Sequence, residues 1–86
     1  MDFYQLHARL VAVLEARIRN GEYTERQLAR VVALSQPHLH HVLKGKRLLS
    51  LERASQVLRQ LHMDLVDLLD AEDIEKWRLR NRNAVS

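Results

Sequence analysis

The chain has 86 residues, of which 47% are hydrophobic and 29% charged, with no cysteine and a formal net charge of +3. That length holds one small domain, the apolar share exceeds that of a disordered chain, and the lack of cysteine excludes a disulfide framework and thiolate chemistry. No stretch approaches the roughly 18 apolar residues of a membrane span, and Asp2 stands where a signal peptide would start basic, so neither segment is read.

Four aromatic side chains, two glycines and one proline favour long helices over a strand-and-turn fold. A reducing cytoplasm fits the composition. The charge is unevenly spread. From Arg17 to Arg47 there are seven Lys or Arg (Arg17, Arg19, Arg26, Arg30, Lys44, Lys46 and Arg47) against Glu22 and Glu25. From Asp64 to Glu75 there are six acids and no base, and Lys76, Arg78, Arg80 and Arg82 follow. Such a basic middle fits either a face for a polyanion or a plainly solubilising surface.

The first helix is expected from about Phe3 to Asn20. Asp2 caps it with Gln5 three residues on, and Leu6, Leu10, Val13, Leu14 and Ile18 form its apolar stripe. Asn20-Gly21 stops it. The second begins at Thr24, an N-cap whose capping box closes on Gln27, with Tyr23 and Leu28 as a hydrophobic staple. It turns Leu28, Ala29 and Val32 inward, and Ala33-Leu34-Ser35 breaks its pattern. Ser35 caps a third helix with Pro37 in its first turn, where the amides have no intrahelical acceptor. Leu39, Val42 and Leu43 form its inner face, and Gly45 ends it.

Leu48-Leu49-Ser50 leads into a fourth helix with Leu51, Ala54, Val57, Leu58 and Leu61 inward. Leu48 and Leu49 serve either the core or a partner surface. Asp64 caps a short fifth helix offering Leu65, Leu68 and Leu69. Residues 70–86 form an extension, either a short sixth helix or a tail. Acids first and bases last suit a helix dipole there. Its apolar residues are Ile74, Trp77 and Leu79, with Trp77 either an interface anchor or a cap on the core.

Two short helices joined by a tight turn, the second opening polar and closing in a basic loop, make a helix-turn-helix arrangement. The stretch TERQLARVVALSQPHLHHVLKGKRLLSLERA resembles the lambda-repressor-like, or xenobiotic-response-element, family of DNA-binding domains. Leu28-Ala29, then Leu34-Ser35-Gln36, then Leu39 and Val42, then Gly45-Lys46-Arg47 and Ser50-Leu51 stand in that family's order and spacing. The match covers roughly residues 23–69. It implies an all-α, five-helix domain over residues 1–69, with the motif at 24–44, that binds double-stranded DNA as a dimer. Four features depart from the family. Ala33 replaces a turn glycine and must accept a left-handed backbone. Glu25 replaces a phosphate-holding glutamine and would repel a phosphate, which leaves Thr24 and Gln27 as the backbone-contact candidates there. Leu43 replaces a common glutamate. Leu48-Leu49 replaces a polar, proline-containing loop.

With Leu39 and Val42 inward, Gln36, Pro37, His40, His41 and Lys44 are left on the opposite face at spacings of three and four. Gln36 is the first candidate for base reading, since its amide pairs with N6 and N7 of adenine. Pro37, His40 and His41 share that face, and imidazole donates to guanine or to a phosphate oxygen. Lys44, Lys46 and Arg47 are candidates for phosphate contacts that set the docking register.

His38 and His41 lie one turn apart, but a structural zinc site takes four ligands and no third or fourth is positioned here. No serine or acid is placed to orient a histidine base, so no catalytic role is read. His38 reads as partly packed. The reading is therefore a cytoplasmic, bacterial or phage transcriptional regulator without metal or cofactor. The alternative on the same fold is an antitoxin or protein-interaction adaptor, served by the acidic stretch and by Leu48 and Leu49.

Overall fold

The computed structural model describes residues 2–69 and 71–81; within 71–81 the side chains of Ala71, Asp73, Ile74, Trp77 and Asn81 lie outside the described set. The described chain is all-helical: α1 (Phe3–Arg19), α2 (Glu25–Val31), α3 (Gln36–Leu43), α4 (Leu51–Gln60), a 3-10 turn (Leu65–Leu68) and α5 (Ala71–Asn81). The expected fifth helix is thus one 3-10 turn, and the extension is helical through Asn81. The proposed roles of Ile74 and Trp77 fall outside the described residues.

The punctuation acts where the residue types predict. Asp2 Oδ1 accepts the Gln5 amide at 2.9 Å, and Gln5 Oε1 accepts the Asp2 amide at 3.1 Å. Thr24 and Gln27 close the same box on α2 at 3.1 and 2.9 Å. Ser35 and Ser50 cap α3 and α4 through the amides of His38 and Arg53. Each cap satisfies a first-turn donor that has no intrahelical acceptor.

The helix ends share one device. Past α1, α2, α3 and α4 stand Gly21, Ala33, Gly45 and His62, all with positive φ. In each case the following amide returns five residues to a helix carbonyl: Glu22 to Arg17, Leu34 to Ala29, Lys46 to His41 and Met63 to Leu58. These are Schellman ends. Glycine takes the left-handed region freely, whereas Ala33 at φ 60° and His62 at φ 56° take it against the Cβ clash. Ala33 thus takes the left-handed backbone expected of it.

α2 packs on α3, and α1 packs against both. Leu10 and Leu14 of α1, Leu28, Ala29 and Val32 of the second helical segment, Leu39 and Val42 of α3, and Ala54, Val57, Leu58 and Leu61 from the fourth meet in one core with Leu34, Leu49 and Leu68. Each fully buried Leu or Val contributes about 1.5–3 kcal/mol by leaving water. The Arg9 guanidinium donates to the Leu68 carbonyl at 3.0 Å and ties the 3-10 turn to α1.

Two apolar expectations fail. Leu51, read as inward, is 70% exposed, and burial in α4 begins at Ala54. Leu65 is also exposed: the single 3-10 turn delivers Leu68 to the core and leaves Leu65 and Val66 in solvent. Of Leu48 and Leu49, Leu49 is core and Leu48 is exposed.

Candidate nucleic-acid interface

Ser35 and Pro37 start α3 at a defined residue, and Leu39 and Val42 pin it face-down on α1 and α2. Leu39 is fully buried and Val42 nearly so. The helix rotation then leaves Gln36, Pro37, His40 and His41 exposed, with Lys44 one turn beyond His40. His38 is half-buried and its amide bonds to Ser35 Oγ. Lys46 and Arg47 follow in the loop and are exposed as well. Among the described residues, Lys44, Lys46 and Arg47 form no ion pair. On α2, Arg26 and Arg30 are exposed and one turn apart. The outward surface of α3 and its loop thus joins amide, imidazole and unneutralised cationic groups.

Thr24 and Gln27 are exposed at the start of α2, but their side-chain oxygens serve the capping box. What they offer a ligand is the Thr24 hydroxyl proton and the Gln27 amide NH2, both donors. Glu25 engages the interface differently. Its Oε1 lies 3.2 Å from His40 Nδ1, across the junction of α2 and α3. A carboxylate oxygen accepts, so this contact is a hydrogen bond when the imidazole hydrogen sits on Nδ1. The His41 ring stands edge-on to His40 at 6.0 Å. Sequence spacing gives no hint of this pair, since the two residues are 15 apart and only helix packing joins them.

Sequence reasoning also passed over His7. It is the one polar residue among the buried described residues, and its Nε2 accepts the Leu49 amide at 2.9 Å. Burial pushes its imidazole below the ordinary value. The bond holds the far end of the basic loop against α1, which is how Leu49 reaches the core while Leu48 points away.

Compared with protein-family models, curated proteins and solved structures, the chain matches none. Among the described residues there is no group of three or more His, Cys, Asp or Glu placed to hold a metal, and no helix long and apolar enough to cross a membrane. An open apolar depression of about 660 Å³ lies between Phe3, Tyr4 and Leu6 of α1 and the segment Leu48 to Leu51. It contains none of the polar candidates on α3.

Proposed function

We propose that this protein binds double-stranded DNA sequence-specifically, inserting α3 into the major groove, as a cytoplasmic bacterial or phage transcriptional regulator. One observation carries the reading: Leu39 and Val42 are buried while Gln36, Pro37, His40 and His41 are exposed beside three unneutralised cations. A helix anchored on one face and polar on the other fits a major groove about 12 Å wide. In this reading Gln36, Pro37, His40 and His41 meet base edges. Thr24, Gln27, Lys44, Lys46 and Arg47 meet phosphates, which supply affinity and register without sequence information. One such helix gives limited affinity, so two copies would share a two-fold operator. The chain acts as a binder and not as an enzyme.

A second reading draws on exposed Tyr4, Leu48 and Leu51 beside the apolar depression. An apolar surface of this kind suits a protein partner, as in an antitoxin or adaptor, and is compatible with DNA binding on α3.

The deciding experiment is selection of bound sequences from a random duplex pool at two salt concentrations. Enrichment of one motif, with affinity falling steeply as salt rises, supports the reading. Failure to retain any duplex at low salt rejects it.

A further inference from the structure

The Glu25–His40 pair deepens the DNA reading and rests on it. His40 belongs to the exposed face of α3, and its Nδ1 is held by the carboxylate of Glu25, the first residue of α2. The opposite ring nitrogen, Nε2, has no hydrogen-bond partner among the described residues. A neutral imidazole carries one hydrogen, so holding it at Nδ1 leaves Nε2 a bare acceptor.

We propose that Glu25 is a positioning residue that sets what His40 reads: the neutral ring presents an acceptor at Nε2 to an exocyclic amine, adenine N6 or cytosine N4. These are the major-groove donors. A second proton turns Nε2 into a donor, and the matching acceptors become guanine O6 and N7, thymine O4 and adenine N7, while cytosine N4 no longer fits. Glu25 keeps its hydrogen bond in both states, so the ring stays in place while its reading sense inverts. The titratable groups facing the ring are Glu25 on α2 and His41 on α3. The cations next to the pair along the two helices are Lys44, one turn past His40, and Arg26, next to Glu25; both are exposed. The glutamate that repels phosphate as a phosphate contact thus serves as a base-reading support.

Two measurements on the full chain test this. The first is a long-range proton–nitrogen spectrum of the free protein at pH 8, with His40 assigned through H40Q. The expected pattern is a hydrogen on Nδ1 and a bare Nε2, replaced by mixed tautomers in Glu25→Gln, whose amide can donate as well as accept. A hydrogen on Nε2 in the wild type overturns the proposal. The second is sequence selection from a random duplex pool with wild type and Glu25→Gln at pH 8 and pH 6, both proteins verified as folded by thermal unfolding. One position is expected to favour adenine or cytosine at pH 8 by roughly five- to tenfold, the worth of one hydrogen bond. That preference should weaken in Glu25→Gln, and on lowering the pH cytosine should give way to guanine or thymine. Identical preferences in both proteins at both pH values overturn the proposal. If neither protein retains any duplex, the proposed function and the base assignment fall together, while the free-protein spectrum separately decides whether Glu25 holds the ring.

Discussion

His7 and Leu49, 42 residues apart, are joined by a buried hydrogen bond in which the histidine Nε2 accepts the leucine amide at 2.9 Å. The bond requires a neutral imidazole, and burial favours that form. The unfolded chain takes up a proton at about pH 6.5, whereas folded His7 does so only at lower pH. Its stabilising effect is therefore complete above about pH 6.5 and is lost as pH falls through the folded value. Unfolding free energy should decline by up to about 1.4 kcal/mol per pH unit inside that window. His7→Phe removes the acceptor from a buried amide. At pH 7.5 it should cost about 1–3 kcal/mol and erase this part of the pH dependence. Denaturant titrations at several pH values measure both effects; a variant as stable as the wild type at pH 7.5 would discount the bond.

The left-handed helix ends give a prediction with two signs. Ala33→Gly relieves the Cβ clash, worth about 1–2 kcal/mol, against an added unfolded-chain entropy of about 0.4–1 kcal/mol. A net gain of roughly 0.5–1 kcal/mol is expected. Gly45→Ala imposes the same clash at φ 75° and should lose about 1 kcal/mol. No atom stands within 4 Å of a Cβ added at Gly45, so the loss comes from backbone strain alone. Matched thermal melts of the two variants check this pair of signs.

Leu39 anchors α3, and Leu39→Ala should destabilise the domain by about 2–5 kcal/mol through lost burial and a residual cavity. For so small a domain that is a large share of the total. Gln36→Ala at the exposed start of the same helix should stay within about 0.5 kcal/mol of wild type. It should also lose preference for one base. Equal destabilisation by the two changes would mean that α3 is rotated from the orientation described.

Lys46→Ala with Arg47→Ala should weaken binding to all duplex sequences alike. It should lower the slope of log affinity against log salt by about two, one unit for each phosphate contact. Binding titrations at four or five salt concentrations give the slope. A loss confined to one sequence would transfer base reading from α3 to the loop.

His41→Ala, at an exposed position of α3, should keep stability within about 0.5 kcal/mol of wild type and relax the preference for one base. Sequence selection with both proteins measures the change. Unaltered preferences take His41 out of the contact surface.

The sequence alone determined the first four helices and the outward face of α3, because those depend on neighbours within a few residues. Thr24, Ser35 and Ser50 cap where their hydroxyls reach an amide three residues on. Leu39 and Val42 mark the buried side of α3 by spacing alone, and the left-handed turn at Ala33 is expected from the resemblance, in which a glycine stands there. Tertiary packing decided what adjacent or distant residues do with the same chemistry. Leu48 and Leu49 are alike in type, yet only Leu49 enters the core, where His7 receives its amide. Leu51 has the period of an inward residue and stays outside, on the rim of the open depression between the start of α1 and the first turn of α4. Glu25 and His40 meet only because α2 lies against α3. Periodicity reports which side of a helix faces inward; where the neighbouring helix ends, and which polar atoms it brings along, depends on contacts far apart in the chain.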